Sequence, residues 1–254
     1  NITAGMVKEL RERTGLGMMD CKRALTEAEG DMDKAIDDLR KASGIKAAKK
    51  ASRVASEGVV LTKIAEDGNF GVIIEVNSET DFAARDDNFL GFSQQVLELA
   101  YSKREADVAA LLGAGLEDAR SALVQKIGEN CNLRRVERLQ LTDEHTGIVE
   151  SYVHSNNRIA VLISVTGGDE ALARDVAMHI AAVNPLVVRA EDVPKEEIAK
   201  ETEIYSAQAR ESGKPEEIIE KMISGRLRKF VAEVSLLEQP FVKDPDVTVG
   251  KLLK

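Results

Sequence analysis

Histidine and cysteine are too scarce and too scattered in this sequence to build a metal centre. His145, His154 and His179 show no HExxH or comparable ligand spacing, and Cys21 and Cys131 have neither a CxxC partner nor a histidine beside them. No disulfide framework is implied, which fits a reducing, cytoplasmic setting. No apolar run reaches the ~18 residues of a membrane span, and no charged-then-apolar leader precedes the first helical pattern. Cations are outnumbered, with 35 Lys and Arg against 44 Asp and Glu and a net charge of −9. A nucleic-acid partner needs clustered cations to release counterions, and the one dense run is Lys46, Lys49, Lys50 and Arg53. That run reads as a solvated linker, so no nucleic acid and no membrane is expected as partner.

Catalytic motifs are missing too. Lys214 follows Gly213, but Gln208 stands where a P-loop requires its first glycine and Pro215 where a magnesium-binding hydroxyl would sit. Neither a GxSxG elbow nor a GxGxxG turn occurs, and the many carboxylates read as solvated helix faces. The expectation is a protein that is not an enzyme, carries no cofactor and binds no nucleotide directly.

What is present is a globular balance, 43% hydrophobic and 31% charged over 254 residues, enough for more than one core. Val7, Leu10, Met18, Cys21, Leu25, Ala28, Met32, Ala35, Ile36 and Leu39 recur at three- and four-residue spacing, which predicts three short helices. Thr14-Gly15-Leu16-Gly17 separates the first two, and Gly30-Asp31 ends the second and caps the third. From Gly58 the pattern turns to strands, 59–64 and 70–76 around a turn with Asp67, Gly68 and Asn69. The same design returns 89 positions later as strands 147–153 and 159–165 around Ser155-Asn156-Asn157, an internal duplication. Each copy continues into a helix, marked by Phe89, Phe92, Val96 and Leu99, then by Leu172, Val176, Met178 and Ile180. Later strands are expected at 133–141 and at 230–234 with the residues after it. Between the last elements, Ser212-Gly213-Lys214-Pro215 splits a helical stretch into an antiparallel hairpin. Its narrow stripe, Ile198, Tyr205 and Ala209 against Ile218, Met222 and Leu227, suits a projecting coiled-coil arm.

The two copies differ most after their second strand. The first has Asn77-Ser78-Glu79-Thr80-Asp81-Phe82-Ala83-Ala84-Arg85-Asp86, and the second only Thr166-Gly167-Gly168-Asp169. Phe82 has two readings, a lid folded onto its own core, the common fate of phenylalanine, or a projecting anchor. Met18 and Met19, adjacent on a helix, cannot both face one core, so one of them is expected in solvent as an adaptable contact.

Two stretches resemble the elongation factor Ts family: Leu10-Arg11-Glu12-Arg13-Thr14-Gly15-Leu16-Gly17-Met18-Met19-Asp20-Cys21-Lys22-Arg23-Ala24-Leu25, and Glu75-Val76-Asn77-Ser78-Glu79-Thr80-Asp81-Phe82-Ala83-Ala84. The similarity extends through Lys126-Ile127-Gly128-Glu129-Asn130, the turn at 154–159 and Gln239-Pro240-Phe241-Val242. It implies an α+β fold: a ubiquitin-associated-like (UBA-like) three-helix domain at 1–45, a basic linker at 46–57, and a duplicated core. The core halves are 58–141 and 142–193 with 230–243, with a coiled-coil hairpin inserted at 194–229 and a C-terminal segment at 244–254. It also implies guanine-nucleotide exchange on the translational GTPase elongation factor Tu; a homodimer or a 2:2 complex is the expected assembly. In that family the residues matching Asp81 and Phe82 of the Thr80-Asp81-Phe82 motif wedge near the magnesium site of the GTPase. Residues matching Arg11, Met18 and Met19 touch its G domain, and the match to His154 approaches from the second core half. Ala83 and Arg85 depart from the common Val and Lys, and related chains often carry a further carboxy-terminal segment that touches the partner. A protein-binding scaffold built on the helical domain, without exchange activity, is the alternative from another class, and a nucleic-acid binder using Lys46 to Arg53 is a weaker one.

Overall fold

The structure, a computed structural model, describes residues 1–142 and 147–254; His145 lies outside the described residues. Helices and small antiparallel sheets make an α+β chain of two compact units, Asn1–Thr166 and Gly167–Lys254.

The first unit opens with α1 (Ala4–Thr14), α2 (Met18–Glu27) and α3 (Met32–Lys50). Local signals set their ends: Gly15 closes α1 at φ +70°, and Asp31 caps α3 by accepting from the Lys34 amide at 3.2 Å. Val7, Leu10, Leu16, Cys21, Leu25, Ala35 and Leu39 form their shared core. Strands β1 (Glu57–Ile64) and β2 (Phe70–Ser78) follow, then α4 (Asp87–Lys103), α5 (Val108–Leu111), α6 (Glu117–Ile127) and β3 (Asn132–Gln140). The basic run expected as linker is largely the end of α3. Ala47, 1% exposed, fixes that stretch into the main core, and Ser43 Oγ donates to Gln125 Oε1 of α6 at 2.6 Å. Lys46 and Lys49 stay in solvent, so the charges concealed a helix whose other face is buried.

The sheet runs β1-β2-β3, antiparallel throughout. Phe70, Val72, Ile74 and Val76 share a core with Phe89, Phe92, Val96 and Leu97 of α4. Burial of a side chain such as Phe70 or Phe89 contributes ~1.5–3 kcal/mol. The alternate face of β2 meets the second hairpin, β4 (Gly147–Val153) and β5 (Ala160–Thr166), where Gly71 leaves room for Val149 and Leu162. The duplicated hairpins join reciprocally. Val60 N–H donates to Asn157 O at 2.8 Å, and the repeat equivalents reverse the bond, Val149 N–H donating to Gly68 O at 2.7 Å. Thr62 Oγ meets its own equivalent, Ser151 Oγ, at 3.1 Å across an offset of 89 residues. With these bonds β4 and β5, the hairpin of the second copy, lie in the first unit beside β1 and β2.

The second unit comprises α7 (Glu170–Val183), α8 (Lys195–Glu211), α9 (Glu216–Val234), β6 (Pro240–Phe241), β7 (Asp244–Thr248) and α10 (Val249–Leu252). Residues 230–234, expected as a strand, are the last turns of α9: Leu227, Phe230 and Val234 continue the helical spacing, and extended backbone begins at Ser235, which bridges to Val187. Gly213, at φ +68°, turns the chain between α8 and α9. In the stripe between these helices Ala209 and Ile219 are buried, while Ile218, expected there, faces solvent. His179 is a satisfied core residue. Val242 N–H donates to its Nδ1 at 3.2 Å, which leaves Nε2–H to donate to Gln239 Oε1 at 2.9 Å. Gln239 in turn donates to Glu233 O at 2.7 Å, so Gln239-Pro240-Phe241-Val242 closes around that imidazole.

Both thiols are buried. Burial pushes the Cys131 thiol up to about 12, helped by the nearby Glu129 carboxylate, and burial raises Cys21 as well. Thiolate is the reactive form, so a raised value keeps both protonated at neutral pH. Native protein is expected to leave a thiol-specific chromogenic disulfide untouched until denaturant is added; rapid reaction of either cysteine in the native state would contradict this.

Candidate functional site

Beyond β2 the chain enters a loop held from several sides. Ser78, fully buried, donates its hydroxyl to Thr80 O at 2.8 Å. Glu129 grips the next residue with both carboxylate oxygens, accepting the Thr80 amide at 2.9 Å and the Thr80 hydroxyl at 2.7 Å. Asn130 adds a second hold, its backbone N–H donating to Glu79 Oε1 at 2.8 Å. Its carboxamide N–H donates to Arg53 O at 2.8 Å and Ala51 O at 3.4 Å, which ties the segment after α3 to the same point. Arg53 lies 3.6 Å from the Glu79 carboxylate.

Within the loop, the Thr80 hydroxyl accepts from the Ala83 amide at 3.2 Å and opens the short turn Ala83–Arg85. Ala83 and Ala84 fill the space beneath that turn, and Asp86 caps α4 through the Asn88 amide at 2.8 Å. With two alanines buried and Phe82 in ordinary helical backbone, the Phe82 ring points outward and is 78% exposed. This excludes the lid. Asp81 pairs with Arg85 at 2.9 Å, and the Arg85 guanidinium lies 5.5 Å from the centre of the Phe82 ring. Arg85 therefore braces the base of the aromatic through a cation–π contact.

The other expected residues lie in the same unit. Met18 and Met19 are 56% and 67% exposed, so the expected exposed methionine is there and its neighbour projects with it. The reason is their position in the first turn of α2, where Cys21, Ala24 and Leu25 supply the buried face. Arg11 is exposed near the end of α1. Asp20, beside the methionines, accepts from Gln125 Nε2 at 3.3 Å, close before the Glu129 grip on Thr80. The end of α6 therefore connects the methionine pair to the Thr80-Asp81-Phe82 loop. His154 is exposed in the β4–β5 turn, its Nδ1 3.3 Å from Tyr152 OH. That turn is tied to β1 by the Val60–Asn157 bond and an Arg158–Glu57 ion pair, and Glu57 pairs in register with Ser78. It thus shares the sheet end from which the Phe82 loop leaves.

Glu129, Asn130 and Arg53 were not singled out from sequence as site residues. Glu129 and Asn130 lie within a stretch that resembles the family, and that was the available signal. Among the described residues, no group of three or more His, Cys, Asp and Glu converges as a metal site. Exposed apolar anchors among charges, Met18, Met19, Val54, Phe82 and Ile159, are the chemistry of a protein-docking surface.

The family model described as Elongation factor TS matches residues 79–254. The elongation factor Ts of Hahella chejuensis is 63% identical over 253 residues, covering 100% of this chain and 87% of that protein. Those of Saccharophagus degradans and Teredinibacter turnerae are each 60% identical, again over 100% of this chain and 86% of theirs. The chain belongs to the elongation factor Ts family.

Proposed function

We propose that the chain is the guanine-nucleotide exchange factor of elongation factor Tu, and that it works by differential binding. The observation that carries this reading is a phenylalanine held in solvent, 78% exposed, on a loop fixed by buried and charge-assisted hydrogen bonds. An exchange factor moves no proton and breaks no bond. It binds the empty GTPase more tightly than the nucleotide-loaded one, and linkage then requires each ligand to weaken the other. The affinity for GDP rests on magnesium and on backbone donors around its phosphates. Phe82 inserting between helices near that site, with Asp81 beside it, displaces those groups, and a shift of about an ångström removes several kcal/mol of oriented binding. GTP, in excess, then fills the vacated site and expels the factor.

In this reading α1–α3 form the UBA-like domain, with Arg11, Met18 and Met19 on the G domain, and His154 meets the GTPase from the second hairpin. The α8–α9 pair is the coiled-coil arm, available to a homodimer or a 2:2 complex. The protein acts in the cytoplasm, without cofactor, membrane or nucleic acid.

Stopped-flow release of a fluorescent GDP analogue from elongation factor Tu tests the proposal. Micromolar factor is expected to accelerate release strongly. No acceleration would leave the scaffold reading in its place. Replacing Met18 and Met19 together by alanine is expected to raise the half-saturating concentration at least tenfold, as for loss of exposed interface anchors, with melting unchanged. Unchanged half-saturation would remove the methionines from the interface.

A further inference from the structure

We infer that Glu129 is a positioning residue that sets the Thr80-Asp81-Phe82 loop in its docking conformation before any partner arrives. The inference rests on the exchange reading above and adds to it the origin of the loop's rigidity. Three observations carry it. Glu129 accepts two charge-assisted hydrogen bonds from one residue, Thr80, at 2.9 and 2.7 Å, and neither atom of that pair belongs to a helix or strand ladder. The Thr80 hydroxyl, having donated to Glu129, accepts the Ala83 amide at 3.2 Å, so one side chain both anchors the loop and starts the turn that carries Phe82. The neighbouring Asn130 secures Glu79 at 2.8 Å, so consecutive residues after α6 hold consecutive residues after β2.

Without the carboxylate, Thr80 loses both bonds that tie it to the segment after α6, and the loop keeps its buried alanines, the Ser78 bond, the Asp81–Arg85 pair and its own turn, none of which fixes Thr80 to that segment. The ordering of Phe82 and Asp81 would then have to be supplied at the moment of association. Rotamer-rich groups that are ordered on binding weaken it, whereas the maximal rate, set in the assembled complex, depends on Phe82 itself. Glu129 therefore acts on the concentration of factor needed, and Phe82 on what the bound factor does.

The test uses the full chain with Glu129→Ala, Thr80→Val, the double variant and Thr80→Ser. In free protein, amide hydrogen exchange is expected to show the Thr80 amide protected in the parent and released in Glu129→Ala, with melting unchanged. In the GDP-release assay, Glu129→Ala is expected to raise the half-saturating concentration roughly tenfold, as for loss of a charge-assisted pair, with the maximal rate retained. The double variant is expected to be no worse than the worse single one, since both remove the same interaction. Thr80→Ser, which keeps the hydroxyl, is expected to recover most of the loss seen in Thr80→Val. Equal Thr80 amide exchange in parent and Glu129→Ala, or additive losses in the double variant, overturns the inference. If the parent itself fails to release GDP, the exchange reading falls alone, and amide protection decides the role of Glu129.

Discussion

Phe82→Ala is expected to leave the melting temperature of the free protein nearly unchanged and to reduce GDP release from elongation factor Tu by thirtyfold or more. The first half follows from position. The ring is 78% exposed, and its contacts are with Arg85 on the same loop, so truncation opens no cavity and costs within ~0.5 kcal/mol. A buried phenylalanine would have cost ~3–5 kcal/mol. The second half follows from the role proposed for it. Truncating an aromatic anchor that fills a partner's pocket costs about 2 kcal/mol or more, and each 1.4 kcal/mol is a factor of ten. Asp81→Ala is expected to follow the same pattern with a smaller loss, because Arg85 remains to brace the ring. Melting and release should be measured on the same preparation. A variant that melts early yet releases nucleotide at the parental rate would reverse the assignment.

Gly58→Ala is expected to destabilise the first unit by about 3–4 kcal/mol, a fall in melting temperature of roughly 10 °C. Gly58 sits at φ +143°, where L residues are strained, and pairs with Asn77 in the β1–β2 ladder. A Cβ there would land on the carbonyl oxygen of Val76 and 2.7 Å from Asn77 Cα, both backbone atoms that cannot rotate away. Gly44→Ala is the control. Gly44 lies inside α3 with nothing within 4 Å of an added Cβ, so alanine there is expected to be neutral or to stabilise by ~0.5–1 kcal/mol. If Gly58→Ala melted with the parent, the close crossing at the start of β1 would have to relax more freely than two paired strands allow. The repeat makes the same point unaided: Gly147, the equivalent of Gly58, would put its Cβ on Val165 O, the equivalent of Val76 O.

Most of the architecture was legible because it rests on local signals. The first three helices carry three- and four-residue spacing with glycine and aspartate at their ends, and both hairpins carry strand patterns around glycine- and asparagine-rich turns. The duplication added an internal control that marked the Phe82 loop as the place where the copies differ. The direction of Phe82 was not legible, because it depends on Ala83 and Ala84 occupying the space below, and small residues on a loop carry no periodic signal. Glu129 was out of reach for another reason, since its partner Thr80 lies 49 residues away. The end of α3 was missed because four cations outweighed the single buried Ala47, and the strand expected at 230–234 because aromatic and β-branched residues also suit the last turns of a packed helix.

The reciprocal bonds between the hairpins have the geometry of a two-fold interface, in which each partner gives what it receives. Separate identical chains meeting in this way would have to display every loop twice. Joined in one polypeptide, the halves keep the self-complementary seam while their outer loops differ: one copy carries the ten residues around Thr80-Asp81-Phe82, the other the short Thr166-Gly167-Gly168-Asp169. Covalent linkage thus turns a symmetric scaffold into a tool with one working edge. Each chain presents a single Thr80-Asp81-Phe82 loop, so under the proposed exchange reading one chain engages one GTPase through it.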